Sequence, residues 1–447
     1  MKFFFSILFF SIINFSGLKS QEISNLFNYN LYGFATSNTF TYFNVYDNNF
    51  LNKVKKINPQ VLRFPGGAVG NFYHFGKNGY GFDFNEIEIY DGSRFVERSK
   101  ALNQANIDKG HTHDYIDDFI YLAKNTNSKV VLVANMFSRN DDIIKMIKKI
   151  QDNNLEIIGV ELGSELSNKS FFDKGYTIDE YIIDAKRCSD LVKENYPNIK
   201  TAIVAAPIHS SSTHRHTIWN KKLSEMNFYD AIIIHSYAKV VKGKKQYGQM
   251  ISFEEEGNND TEAFEIYLDR CLSFLFELFP KEIQKYNSIF DKEIWITEWN
   301  LQIAKKTSNT MFQALYVSQY FLELMSNKKL MNITLTTYHN LGGRDYGGSI
   351  FRNNKEKFEI QSPYSSLLLL SKIFEKNITI IKKKKEDKKY YYQCYNNNGQ
   401  KLITYVIDWQ ECSLTLIGEN IHKFYSNNLY DKAHPEGILF LKNNEIN

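Results

Sequence analysis

The sequence predicts an α/β protein: a (β/α)8 barrel followed by a small C-terminal β-sandwich. Three observations predict it. Strand-like and helix-like segments alternate from about Leu31 to Phe374, the pattern of βα units wound around a parallel sheet. From Asn377 onward short strands follow one another with no helix between them. The 447 residues leave room for one large domain and one small one.

The eight candidate barrel strands are Leu31–Ala35, Gln60–Phe64, Lys129–Asn135, Glu156–Leu162, Lys200–Ala206, Tyr229–His235, Glu293–Glu298 and Asn332–His339. They are rich in Val and Ile and nearly continuous in hydrophobicity, as strands covered on both faces must be. The clearest helical patterns between them are Asp114–Lys124, Asp141–Gln151, Ile178–Glu194, Glu262–Phe279 and Thr310–Ser326, with Tyr364–Phe374 closing the last unit. Eight strands with eight crossovers make a TIM barrel with insertions. Two loops are long, Gly66–Gly110 and Ser236–Thr261. Both leave the carboxyl ends of strands, the end where such barrels build active sites. The first is rich in Phe, Tyr, Gly and His and is suited to wall a cleft.

The C-terminal strands are expected at Ile378–Ile381, Tyr390–Tyr395, Leu402–Asp408, Cys412–Ile417 and Gly437–Lys442. The expected domains are therefore 21–375 for the barrel and 376–447 for the β-sandwich, with residues 21–30 a candidate extra strand of the latter. The run Lys382-Lys383-Lys384-Lys385 is followed by Glu386 and Asp387 and reads as a solvated hairpin turn.

Residues 1–20 read as an export signal. Lys2 gives the positive start, Phe3–Phe15 the apolar run, and Ser16–Ser20 a small and polar cleavage region. The apolar run is short for a membrane span and no later segment qualifies, so a secreted or extracellular chain with no membrane span after signal removal is expected. The formal net charge is +4, and loss of Lys2 and Lys19 with that segment lowers it by two. Such a balance gives no argument for a nucleic-acid partner. Hydrophobic residues make up 43% and charged residues 23%, as in globular proteins. The four cysteines, Cys188, Cys271, Cys394 and Cys412, form no CxxC pair. Cys394 and Cys412 are candidates for a disulfide after export, and the other two for buried thiols. Sequons stand at Asn168, Asn259, Asn332 and Asn377.

The chemistry is carried by Glu165 in Val160-Glu161-Leu162-Gly163-Ser164-Glu165 and by Glu298 in Glu293-Ile294-Trp295-Ile296-Thr297-Glu298-Trp299-Asn300. Two carboxylates at the carboxyl ends of two barrel strands suit a retaining glycosidase, one as acid/base and one as nucleophile. Glu161 shares the strand but lies deeper and reads as structural. Arg63, in Leu62-Arg63-Phe64-Pro65-Gly66-Gly67, ends the second strand and is a candidate to bond Glu298, a surface or supporting position being the alternative. His235 and Tyr237 end the sixth strand, where either side chain could orient the nucleophile. A rim histidine held by its own partners is the alternative for His235. Asn135, Tyr338 and His339 are candidates to line the cleft. Trp299 is either a floor for a sugar ring or part of the core. The clusters His111-Thr112-His113-Asp114 and His214-Arg215-His216 stand ahead of helical patterns, where Thr112 or Asp114 suits an N-cap. No metal site and no organic cofactor is expected.

These motifs resemble those of glycoside hydrolase clan A, the retaining (β/α)8-barrel glycosidases. Among them the chain looks most like the group with a C-terminal β-sandwich, which includes α-L-arabinofuranosidases and the heparanase and β-glucuronidase relatives. Leu62–Gly67 is similar to the second-strand motif of that group, Glu161–Glu165 to its acid/base motif, and Thr297–Asn300 to its nucleophile motif. The resemblance implies Glu298 as nucleophile and Glu165 as acid/base, acting on a poly- or oligosaccharide. Where the clan usually has Asn before the acid/base, contacting the sugar 2-hydroxyl, this chain has Ser164, whose hydroxyl reaches less far. A carbohydrate-binding pseudoenzyme on the same fold is the alternative that Ser164 supports.

Overall fold

The computed structural model describes residues 28–91, 93–138, 141–242, 256–437 and 439–444. The expected export signal lies outside the described residues, as do 21–27 of the candidate extra strand and 243–255 of the loop after the sixth barrel strand. Tyr29–Leu31, the end of that candidate strand, is a 3-10 turn.

Eight parallel strands close into a barrel: β1 Gly33–Ala35, β2 Val61–Phe64, β3 Lys129–Val133, β4 Ile157–Leu162, β5 Lys200–Val204, β6 Ala231–Ala238, β7 Glu293–Leu301 and β8 Ile333–Tyr338. β1 pairs with β2 on one side and with β8 on the other, which shuts the sheet on itself. Val130, Val131, Leu132 and Val133 are all fully buried, because layers of side chains fill the interior while helices cover the outside.

The crossover helices obey local rules. Asn48–Ile57 starts at Asp47, whose side chain accepts from Asn49 N, and ends on Asn58 in the left-handed region at φ 49°. It buries Phe50, Leu51, Val54 and Ile57 on one stripe, each worth roughly 1.5–3 kcal/mol of transfer free energy. Asp114 is the N-cap of Tyr115–Thr126, accepting from Ile116 N at 3.0 Å. The insertion after β2 is partly helical, with Phe84–Glu88 and Arg94–Asp108 packed over the barrel mouth through the stacked rings of Phe95 and Phe171. His74 ties this insertion down between Asp142 (3.1 Å) and Glu86 (2.9 Å).

After β8 comes a small three-stranded sheet, β9 Gly342–Gly343, β10 Phe351–Asn354 and β11 Lys357–Ile360. The C-terminal β-sandwich domain presents a six-stranded antiparallel meander, β12 Ile380–Glu386, β13 Lys389–Tyr395, β14 Lys401–Asp408, β15 Ser413–Ile417, β16 Ile421–Tyr425 and β17 Phe440–Asn444. It packs on the barrel helix Met311–Ser326 through a buried polar network. Tyr392 bonds both Gln319 and Glu323, Trp409 Nε1 donates to Gln319, and Lys383 reaches Glu323 at 2.8 Å.

Two expectations are corrected here. The four-lysine run is not a turn but the edge strand β12, paired residue by residue with β13. Its exposed lysines charge an edge that would otherwise invite pairing with another chain. Cys394 and Cys412 are not joined: all four cysteines are free and buried, and burial raises each thiol.

Candidate active site

Arg63, at the end of β2, is completely buried and organises the barrel mouth. Its Nε and Nη2 donate to the two oxygens of Glu161 at 2.6 and 2.8 Å, and its Nη1 donates to Glu298 Oε1 at 3.0 Å. One guanidinium therefore holds two carboxylates from β4 and β7, the fork geometry that arginine offers and lysine does not. Glu161 reads as structural from sequence, yet it fixes the cation that faces Glu298.

β7 reaches this arrangement by a bulge. Ile234 of β6 pairs with Ile296, but His235 pairs with Glu298, so Thr297 is an extra residue on β7. Strict alternation would send Thr297 and Glu298 to opposite faces. The bulge lets both face the interior: Thr297 Oγ1 donates to Glu161 Oε2 at 3.1 Å while Glu298 meets Arg63.

Glu165 stands on a tight turn after β4. Gly163 has φ 86°, and a Cβ there would meet Leu166 Cδ1 at 2.3 Å, so this position requires glycine. Glu165 itself takes φ 53°, a left-handed conformation that costs a non-glycine residue roughly 1 kcal/mol or more. Asn71, from the insertion after β2, clamps the turn. Its Oδ1 accepts from Ser164 N at 2.8 Å and its Nδ2 donates to Ser164 O at 2.7 Å. The carboxylate is gripped at both oxygens, by Asn168 Nδ2 at 2.9 Å and His235 Nδ1 at 3.2 Å.

Glu298 has further partners. Tyr237 donates its hydroxyl to Oε2 at 2.7 Å, and Nδ1 of His235 and of His339 lie 3.6 and 3.5 Å from the same oxygen. Burial opposes the charge of Glu298, but His235, His339, Arg63 and the Tyr237 hydroxyl outweigh it and hold the carboxyl well below the usual range. Burial depresses His235, but Glu298 and Glu165 overcome that and raise its pKa. Burial dominates at His339 and lowers it.

Among the residues singled out from sequence, Arg63, Glu165, His235, Tyr237, Glu298 and His339 are thus brought together. The others fall elsewhere. Ser164 is fully buried with its Oγ accepting from Arg63 Nη2 at 3.3 Å, turned into the barrel rather than toward a sugar. Trp299 is core: it stacks on Tyr320 at 4.5 Å and meets Tyr338 edge-on at 5.1 Å. Tyr338 is fully buried with it. Asn135 does not line the cavity of the two carboxylates. It closes a turn by accepting from Phe137 N and Ser138 N, and donates to Tyr73 O. Sequence reasoning missed Asn71, Asn168 and Thr297, and their contacts span a loop, a turn and a bulge that no periodicity announces.

The two carboxylates line a cavity of about 110 Å³, together with Tyr237, His339, Arg98 and Asp345. Arg98, on the insertion helix, approaches Asp345 at 3.5 Å across it. Ser37 Oγ and Asn38 Oδ1, at the end of β1, line the same cavity and are buried without a hydrogen-bond partner. Glu165, His235 and Glu298 each offer an atom within 4.8 Å of the others, and are the one group among the described residues able to grip a metal ion. A cation there would compete with Arg63 and occupy both carboxylates. In the two histidine clusters, His113 pairs with Asp118 at 3.0 Å, and His214 Nδ1 accepts from His216 N, which takes these rings for local structure.

The fold is that of the (β/α)8 glycosidases. The chain is similar to an α-L-arabinofuranosidase from Thermotoga maritima in its arabinose complex, with a TM-score of 0.59 at 13% identity over 93% of this chain and 92% of the other. It is also similar to a family 51 α-L-arabinofuranosidase from Bifidobacterium longum (TM-score 0.56, 11% identity, 94% and 93%) and to a GH51 arabinofuranosidase from Xanthomonas axonopodis pv. citri (0.55, 12%, 87% and 82%). No protein-family model matches the sequence, and no curated protein matches it. Among the described residues no helix is long and apolar enough to cross a membrane.

Proposed function

We propose that this chain is a retaining glycoside hydrolase acting on a poly- or oligosaccharide. The observation that carries the reading is the spacing of the carboxylates: an oxygen of Glu165 lies within 4.8 Å of one of Glu298. Retaining enzymes place the pair about 5–5.5 Å apart, whereas inverting enzymes need about 6.5–9.5 Å to admit a water. Glu298, held ionised, attacks the anomeric carbon as the bond to the leaving oxygen breaks, and Glu165 gives that oxygen its proton. Water then attacks the same carbon, gives a proton to Glu165, and releases Glu298 as a carboxylate. Tyr237 and Arg63 keep the nucleophile charged and aimed before its attack. The chain is further proposed to be exported, with residues 1–20 removed, on the strength of Lys2 and the apolar run Phe3–Phe15. N-terminal sequencing of the secreted protein tests that.

The experiment is release of reducing sugar from a broad glycan panel, with aryl α-L-arabinofuranosides included because the structural neighbours are arabinofuranosidases. Glu298→Gln is run in parallel. Wild-type release, lowered about ten-thousand-fold or more in the variant, is the expected outcome. A folded wild type that binds a glycan and releases nothing would favour the binding reading, to which Ser164 turned away from the cavity lends its weight.

A further inference from the structure

A second cavity, of about 90 Å³, adjoins the first and shares Glu165 with it. It contains the acid/base but not Glu298. Its walls come from the turn after β4 (Ser167, Asn168) and from the ends of β5 and β6, whereas the first cavity is walled by segments after β1, β2 and β8. In a double displacement the nucleophile sits under the sugar that is retained, and the acid/base stands beside the glycosidic oxygen that leaves. The two cavities thus take opposite sides of the scissile bond, and a glycan runs from the β1, β2 and β8 side toward β4–β6.

The second cavity is lined by two acidic residues, Glu165 and Glu282, by the imidazole of His235, which bonds Glu165, and by no lysine or arginine. Glu282 lies on the helix Phe279–Ile289 and has no ion-pair or hydrogen-bond partner among the described residues. Burial raises its carboxyl, and only Lys285, one turn along the same helix, pulls it back. Around it the walls are apolar: Val204, Ala205, Ile233 and Ile234. A half-buried carboxyl in such surroundings lacks a cationic partner, and a ligand can supply one.

We infer that this second cavity is the leaving-group site and that Glu282 selects a leaving sugar carrying a protonated amine. This assignment rests on the glycosidase reading, but its binding test does not need turnover. Three probes differ only at one carbon: glucosamine, glucose and N-acetylglucosamine. Their binding to the full chain is measured at pH 6 by ligand-observed NMR, for wild type and for Glu282→Gln. Glucosamine should bind wild type about tenfold more tightly than the other two, the scale of one charge-assisted hydrogen bond in a partly buried site. That preference should vanish in Glu282→Gln. Equal binding of the three sugars by wild type, or a glucosamine preference that survives the substitution, would overturn the assignment. Loss of glycan hydrolysis across the whole panel would instead strike the parent reading and leave the binding result standing. Should that variant fail to fold, Glu282→Ala is read in its place.

Discussion

Arg63→Met puts the reading of the barrel mouth at risk. The wild-type guanidinium is fully buried and meets Glu161 at 2.6 and 2.8 Å and Glu298 at 3.0 Å. Met matches the apolar stem of the side chain but brings no charge. Glu161 keeps only the Thr297 hydroxyl, and Glu298 keeps Tyr237. Breaking a buried ion pair from one side costs about 3–5 kcal/mol, because an uncompensated charge remains. We expect unfolding in urea at pH 7 to show a loss of that size. The pH dependence has a definite sign. Glu298 is depressed in the folded state, so its contribution is present above the ordinary carboxyl value of about 4.3 and fades as pH falls through and below it. The deficit of the variant should therefore shrink toward pH 3. The acid limb of kcat/KM should also move to higher pH, since one of the groups that offset burial at Glu298 is gone. Removing the second charge separates electrostatics from packing: Arg63→Met with Glu161→Leu should recover much of the lost stability, because apolar replacement of both partners is often neutral. A single-variant loss below about 1 kcal/mol, or a double variant no more stable than the single one, would refute the argument.

Three further outcomes follow from the same geometry. Tyr237→Phe removes a 2.7 Å bond to Glu298 and should lower kcat about 10- to 100-fold, the worth of a hydrogen bond to a charged group, with an unchanged urea midpoint. Gly163→Ala places a methyl 2.3 Å from Leu166 at φ 86°; we expect a thermal midpoint a few degrees lower and a larger fall in kcat than in substrate affinity, because the turn that carries Glu165 must shift. His74 is depressed by burial but raised on balance to about 9 by Asp142 and Glu86. Its stabilisation is thus full below pH 6.5 and lost as pH rises through about 9, so the gap in urea midpoint between wild type and His74→Gln should be widest near pH 6 and close by pH 10.

The parts of this molecule that could be read from sequence are those whose cause is local. Each barrel strand is a short Val/Ile run because both its faces are covered, and that shows in a window of a few residues. The ends of such strands locate Arg63, Glu165 and Glu298 at one rim without any knowledge of packing. What stays hidden has its cause elsewhere in the chain. Glu161 looks inert until Arg63, 98 residues away, is laid against it. Asn71 sits in an insertion whose own pattern says nothing about Ser164. The sequence leaves Trp299 between floor and core because alternation gives a face, whereas the β7 bulge at Thr297 resets which face follows. The bulge also explains how two polar residues in a row can sit in a core strand and share its inward face. It allows Thr297 to anchor Glu161 while Glu298 meets Arg63. A strand kept in strict alternation would have to give up one of these contacts. Deleting Thr297 would remove the bulge yet keep Glu298 opposite His235 and on the inward face, with loss of the hydroxyl that bonds Glu161.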